Sequence, residues 1–469
     1  MKYKFNKKLF YIVLTFLFVF IIVRNSQFSI NYQNSSKLVN NDNLAEIEDL
    51  PINKGFISGH DYNIFWFIQI SDTQFLWYDS DKIMSFYRFL NETYNEIEPL
   101  LIFHTGDLVD ADHGTKQDQF EWELYKKALN DNKMNASFYL DVIGNHDAIS
   151  DSDFNYFLNY SMMGRSFNTT QYSFNKTFDF GKYAFIGLNT AKESYNLYEF
   201  AFQGFLDSEE LNWYENELEK YKNFTKIFVF GHHPPSYPPF YKIMSEESLN
   251  GKDFYELNEE YNVSYYFSGH IHENSYQYNE ELLSITTTNF DEISGTYRII
   301  SLDNNSLSTS IGYVGEWPQA IITCPAREKY QSEGLNEHNK KIRVLTWDPN
   351  GIILVKWSFF DSQGELQLTK WISLTNISKD RLLWEGNLDF QYRGDILLKV
   401  QVEGLSGITT KVLKYYLKNR ISTPSLIIAI IMTIGLASIS ITITYYFSIQ
   451  TKKIGKKRKD SLLDILILN

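Results

Sequence analysis

Short apolar runs recur through the middle of the chain, and each one ends on small or polar residues. Ile64–Ile70, Leu100–His104, Tyr183–Leu188, Lys226–Phe230 and Ser264–Phe267 are too short for globular helices and read as buried strands. A further apolar run opening at Phe138 leads into Gly144-Asn145-His146-Asp147. Between these runs, Asp79–Asn91, a stretch starting near Gln117 and Asp207–Lys220 have helical character, the second with clear amphipathic spacing. Alternation of buried strands with helices predicts an α/β fold over residues 61–320. Residues 150–180 read as a surface excursion and a hairpin. From Lys341 the pattern changes to short alternating runs, IRVLTW, GIILVKWSFF, ELQLTKWISL and DILLKVQVEG, punctuated by Asp-Pro-Asn-Gly and Asp-Ser-Gln-Gly turns. That pattern predicts a second, all-β domain over 321–420, an immunoglobulin-like sandwich of roughly seven strands without the cysteine pair of antibody domains.

The two ends carry a different kind of run. Lys2, Lys4, Lys7 and Lys8 precede the uncharged stretch Leu9–Val23, so residues 1–24 read as a signal peptide or a retained signal-anchor, with 25–60 as a lead-in. Residues 425–449 are apolar, uncharged and long enough to cross a bilayer as a transmembrane helix, and the basic run TKKIGKKRKD follows within a 450–469 tail. The positive-inside tendency predicts a membrane protein with a cytoplasmic tail and a lumenal or extracellular central region. The lipid bilayer is then an expected partner. Asn-x-Ser/Thr sequons such as Asn91, Asn135 and Asn223 fit a glycoprotein.

Composition narrows the function classes. The 469-residue chain has a formal net charge of -13, which argues against general nucleic-acid binding, since that would need a basic face. Cys324 is the single cysteine, so no intrachain disulfide can form.

The candidate chemistry sits at the ends of the apolar runs. In chain order the fragments are QISDTQF (69–75), HTGDLVD (104–110), GNHD (144–147), VFGHHP (229–234) and FSGHIH (267–272). Each offers carboxylate, amide or imidazole groups of the kinds that bind divalent metals. These five fragments resemble those of the calcineurin-like metallophosphoesterases, and the layout of the chain is similar to the transmembrane protein 62 family. The resemblance implies a metallophosphoesterase-type β-sandwich with flanking helices and two divalent metal ions (Mn, Fe or Zn) acting on a phosphoester substrate. It implies one ion on Asp72, Asp107 and His272, with Gln74, and the other on Asp107, Asn145, His232 and His270, Asp107 being shared. His146 is then the candidate acid or stabiliser of phosphate charge, with Asp147 orienting it and Asp110 in a supporting role. The family pattern has Asp-x-His where this chain has Asp72-Thr73-Gln74. A neutral amide is a poorer ligand than imidazole for a borderline metal. That departure keeps open a weakly active or inactive member serving binding or scaffolding, with His113 or His104 as conceivable substitutes in space.

Overall fold

The computed structural model describes residues 54–192, 203–237, 241–279, 282–290, 295–326, 341–378, 382–388 and 394–417. Strand β1 (Phe56–Ser58) pairs antiparallel with β2 (Asn63–Ile70), and β2, β3 (Ile102–His104) and β4 (Tyr139–Asp141) run parallel. After three short helices, β5 (Tyr172–Phe178) and β6 (Gly181–Gly187) make the expected hairpin. Next come the two-residue β7 (Phe205–Leu206), then β8 (Lys226–Phe230), and the short β9 (Ser236–Tyr237), β10 (Tyr241–Lys242) and β11 (Met244–Ser245). Strands β12 (Tyr265–Ser268), β13 (Ser275–Asn279) and β14 (Leu282–Thr286) follow, and β15 (Thr296–Asp303) and β16 (Ser306–Tyr313) return to the first sheet. The first sheet has the order β16-β15-β2-β3-β4 with β1 on β2, and the second β13-β14-β12-β8-β6-β5. In the first sheet β15 and β16 add antiparallel to the parallel run β2-β3-β4, and in the second the inner pairings are parallel and both outer ones antiparallel.

The alternation within β2 sets the layering. Ile64, Trp66, Ile68 and Ile70 turn towards a helical layer containing Phe86, Trp122 and Tyr125. Phe65 and Phe67 turn the other way and pack with Phe103, Phe185, Phe228, Phe230 and Phe267 between the sheets. Phe103 and Phe230 stack at 4.4 Å and Phe185 and Phe228 at 5.0 Å, so facing aromatic side chains join the two sheets. The second sheet is covered on its outer side by the helices Ser208–Tyr221 and Phe254–Glu260. Aspartates cap the helices at the predicted places: Asp79 accepts from the Lys82 amide, Asp118 from Phe120 and Asp207 from Glu210.

Two expectations are corrected. The carboxyl-terminal strands do not form an immunoglobulin-like sandwich. They are β17 (Gln319–Cys324), β18 (Lys341–Trp347), β19 (Ile352–Asp361), β20 (Ile372–Ser373), β21 (Thr375–Asn376), β22 (Leu383–Asn387), β23 (Gly394–Gly404) and β24 (Ile408–Leu417). They make two four-stranded sheets, β17-β18-β22-β21 and β20-β19-β23-β24, with β20 and β21 only two residues long. The physical reason lies in β18 and β22: Leu345, Trp347 and Leu383 join the same apolar cluster as Trp66, so this sheet continues the α/β core. Trp66 and Trp347 meet at 5.8 Å, and Arg343 on β18 forms a buried two-point ion pair with Asp303 on β15, at 2.7 and 2.9 Å.

The second correction concerns the membrane. No helix among the described residues is long and apolar enough to cross one, the longest having 14 residues. The expected signal or signal-anchor run at 9–23, the span at 425–449 and the basic tail lie outside the described residues. The transmembrane helix, the bilayer as partner and the lumenal or extracellular placement are therefore withdrawn.

Candidate metal centre

Loops leave the carboxyl ends of the parallel strands β2, β3, β4, β8 and β12, the usual place for chemistry in open α/β sheets. The first carries Asp72 and Gln74, the second Asp107, the third Asn145 and His146, the fourth His232, the fifth His270 and His272. Asp72, Gln74, Asp107, His270 and His272 all have left-handed backbones, with φ from 40° to 70°. Such conformations are costly for residues with a Cβ and persist where surrounding structure fixes them. Here the surrounding structure is the pairing of loop with loop. The Asp72 amide donates to the Gly106 carbonyl at 3.0 Å and the Gln74 amide to the Asp107 carbonyl at 2.9 Å. The His270 amide donates to both Asp72 oxygens, at 3.2 and 3.0 Å. Gly269 is needed for that approach, since a Cβ there would stand 1.7 Å from Ser71 Oγ.

The side chains converge on two neighbouring points. Asn145 Oδ1 lies 2.9 Å from His232 Nε2 and 3.0 Å from His270 Nδ1, and His232 Nε2 lies 3.3 Å from Asp107 Oδ2. His272 Nε2 stands 3.3 Å from Asp72 Oδ1. Donor atoms of Asp72, Asp107 and His232 lie within 4.8 Å of one another, as do those of His232, His233 and His270. Two overlapping clusters of His and Asp thus mark a potential two-metal site.

The chemistry of the donor set fits a cation. His232 Nδ1 sits 2.8 Å from the Thr105 carbonyl, which can only accept, so that nitrogen carries the proton in the neutral ring. Its Nε2 lone pair then faces the lone pairs of Asn145 Oδ1 and the Asp107 carboxylate. Acceptors aimed at acceptors repel unless a positive charge lies between them. Metal bonds of about 2.1 Å at octahedral to tetrahedral angles place neighbouring donor atoms roughly 3.0–3.4 Å apart, close to this spacing. Without a metal a proton takes that role: burial pushes His232 down, but the Asp107 carboxylate lifts it further, to about 9. Burial likewise raises Asp107, yet His232 and His146 hold it well below the usual carboxylate range.

His146 and its neighbours depart from expectation. The His146 amide donates to Asp107 Oδ1 at 2.9 Å, and its Nε2 lies 3.9 Å from Asp107 Oδ2. Its Nδ1 donates to the carbonyl of Asp110 at 2.9 Å, with the Asp110 carboxylate 3.5 Å away. Among the described residues no hydrogen bond joins Asp147 to that ring. Its carboxylate accepts from the amides of Leu108, Val109 and Gly144 at 2.9, 3.2 and 2.8 Å, strapping the second loop to the third. Neither conceivable substitute for the missing histidine enters the centre. His104 is buried against Thr73, its ring pushed down to about 3 by burial, and His113 is a largely exposed ring between Tyr78 and Asp110. The Gln74 side chain is half-buried and makes no hydrogen bond among the described residues. His233, which sequence reasoning did not place among the ligands, has its ring buried 4.5 Å from that of His270 and held by Thr190. The adjacent GHHP histidines were its visible signal.

The paired sheets and their His, Asp and Asn loops define an α/β fold of the metallophosphoesterase kind. Residues 65–274 match the family model described as calcineurin-like phosphoesterase, so that stretch of the chain is of the calcineurin-like metallophosphoesterase kind. It is 27% identical over 325 residues to mouse (Mus musculus) transmembrane protein 62, a match covering 62% of this chain and 47% of that protein, so the chain spans about half of that relative's length. Among solved structures it is similar to GAP50 of Plasmodium, at 17% identity and TM-score 0.34 over 54% of this chain and 85% of that one. A phosphopantetheinyl hydrolase from Mycobacterium tuberculosis aligns at 11% identity and TM-score 0.30, over 48% and 89%.

Proposed function

We propose that the protein is a metal-dependent phosphoester hydrolase with two adjacent metal positions. The observation that carries this reading is the 2.8 Å contact of His232 Nδ1 with the Thr105 carbonyl, which leaves the Nε2 lone pair of the neutral ring facing Asn145 Oδ1 and Asp107. Asp107, Asn145, His232 and His270 would hold one ion, and Asp72, Asp107 and His272, with Gln74, the other. Divalent ions held there supply Lewis acidity towards a phosphoryl group and a nucleophile from water near neutral pH. His146 stands at the rim of this set, about one-quarter exposed, and can place a proton or a positive charge beside a leaving oxygen. Asp110 fixes the His146 ring, and Asp147 fixes the loops on which both Asp107 and His146 stand. Within this reading we also take the similarity to transmembrane protein 62 as distant kinship of the phosphoesterase module.

A second reading rests on Gln74. With an amide in place of imidazole, the Asp72 position has fewer strong donors, and the protein would bind ligands or partners without turnover. Metal content of the purified full chain, native and Gln74→Ser or Gln74→His, measured beside hydrolysis of generic mono- and diesters under manganese, separates the two. Two ions and turnover in the native form support the hydrolase. One ion or none, with turnover only in Gln74→His, sinks it in favour of binding.

A further inference from the structure

The inter-sheet layer changes character one step below the metal centre. On β2 the inward side chains run Phe65, Phe67, Gln69, and on β15 they run Leu302, Ile300, Arg298. Gln69 and Arg298 lie opposite each other in the sheet register, and both are fully buried. A buried guanidinium keeps its place by satisfying its donors, and all but one of the hydrogen bonds of Arg298 named below go to the segment that carries the two-histidine loop. Its Nε donates to Thr287 Oγ1 at 2.8 Å. Its Nη2 donates to Asn274 Oδ1 and to the Thr286 carbonyl, each at 2.8 Å, and its Nη1 to the hydroxyls of Tyr276 and Thr309.

From these contacts the bonds run on towards the ligands. Thr287 Oγ1 donates to Gln69 Oε1 at 2.8 Å, and Gln69 Nε2 donates to the Ser268 carbonyl at 2.9 Å, just before Gly269. Asn274 Oδ1 also accepts from the Thr288 amide at 3.3 Å, and Thr288 Oγ1 donates to the His272 carbonyl at 2.7 Å. The loop from Gly269 to Glu273 is thus gripped at both ends by groups that Arg298 or its partner Gln69 holds. Its two histidines stand at φ 70° and 51°, a backbone that relaxes if the grip is lost.

We propose that Arg298, acting through Asn274 and Thr288 on one side and Thr287 and Gln69 on the other, is a positioning residue that sets His270 and His272 for metal binding. The proposal rests on the reading of the centre as a metal site, and it assigns a supporting network that reaches the ligands from the opposite sheet. Outer partners of this kind typically change metal affinity by roughly 10–100-fold when removed.

The test uses the full chain as Arg298→Lys, Asn274→Ala and Thr288→Val, with Mn2+ titration, melting temperature, and hydrogen exchange of the 269–273 amides in metal-free protein. Arg298→Lys keeps the charge and loses the planar fork. Asn274 is exposed and Thr288 only partly buried, so those two variants retain the fold even if the arginine variant does not. Expected are Mn2+ binding weaker by roughly ten-fold and faster exchange at 269–273, with the melting temperatures of Asn274→Ala and Thr288→Val close to native. Unchanged exchange and unchanged Mn2+ affinity in those two variants overturn the proposal, whatever Arg298→Lys does to stability. If native protein takes up no Mn2+, the phosphoesterase reading fails, and the exchange rates alone still decide whether the network holds the loop.

Discussion

His146 and Asp110 show how the site assigns tasks to side chains. The imidazole is held by a carbonyl and a carboxylate from a residue 36 positions away in the chain, whereas its sequence neighbour Asp147 turns to backbone amides. His146→Ala is therefore expected to lower kcat on phosphoesters by roughly 10²–10⁴-fold. Asp110→Asn should lower kcat by less, because the Asp110 carbonyl remains, and neither change should reduce metal content. A loss of bound metal in either variant would count against these roles. The same pair marks the limit of sequence reading. The carboxylate, amide and imidazole groups at 72, 107, 145, 232, 270 and 272, which the loops bring together, were legible as short motifs after apolar runs. Which aspartate faces His146 was not, because contact between loops depends on backbone direction and not on adjacency. Arg298 was equally hidden, a single charge inside TYRIISLD with nothing nearby in sequence to name its partners.

At the scale of elements, apolar periodicity found β8 at its observed bounds and the other parallel strands within a few residues, because burial on both faces leaves nearly continuous apolar runs. The carboxyl-terminal strands were legible as strands and misassigned as a fold. Alternation says that a strand has an apolar face, and it is silent on which neighbour covers that face; Leu345 and Trp347 cover the α/β core. The helix Ser208–Tyr221 offers a test of a buried acid. Glu210 in its first turn is 2% exposed, and burial lifts its carboxyl from 4.5 to about 8, despite the hydrogen bond that it accepts from the Asn189 amide. A raised folded value means that the contribution of Glu210 to stability is full below pH 4.5 and is lost as pH rises through about 8. Urea midpoints should fall over that window in the native chain, and Glu210→Gln should flatten the fall. An identical pH profile in the variant would show that Glu210 is ionised throughout.

For the whole molecule, the Arg343–Asp303 pair decides whether the carboxyl-terminal sheets are an appendage or part of the core. Both side chains are 1% exposed, and breaking one partner of a buried pair typically costs about 3–5 kcal/mol by stranding the other charge. Arg343→Met should lower stability on that order in a single transition followed by urea denaturation. A separate early transition, with the metal centre intact, would show instead that the added sheets unfold alone. The centre itself draws on both main sheets, with Asp72 from one and His270 and His272 from the other. His270 meets Asp72 across 198 residues of chain. A chain with one cysteine cannot staple itself by disulfide, and ions shared by those loops would do the stapling instead, closing a very long loop of the unfolded chain. Chelation would then act like reduction of a disulfide, opening the seam between the sheets to proteases before any strand is lost.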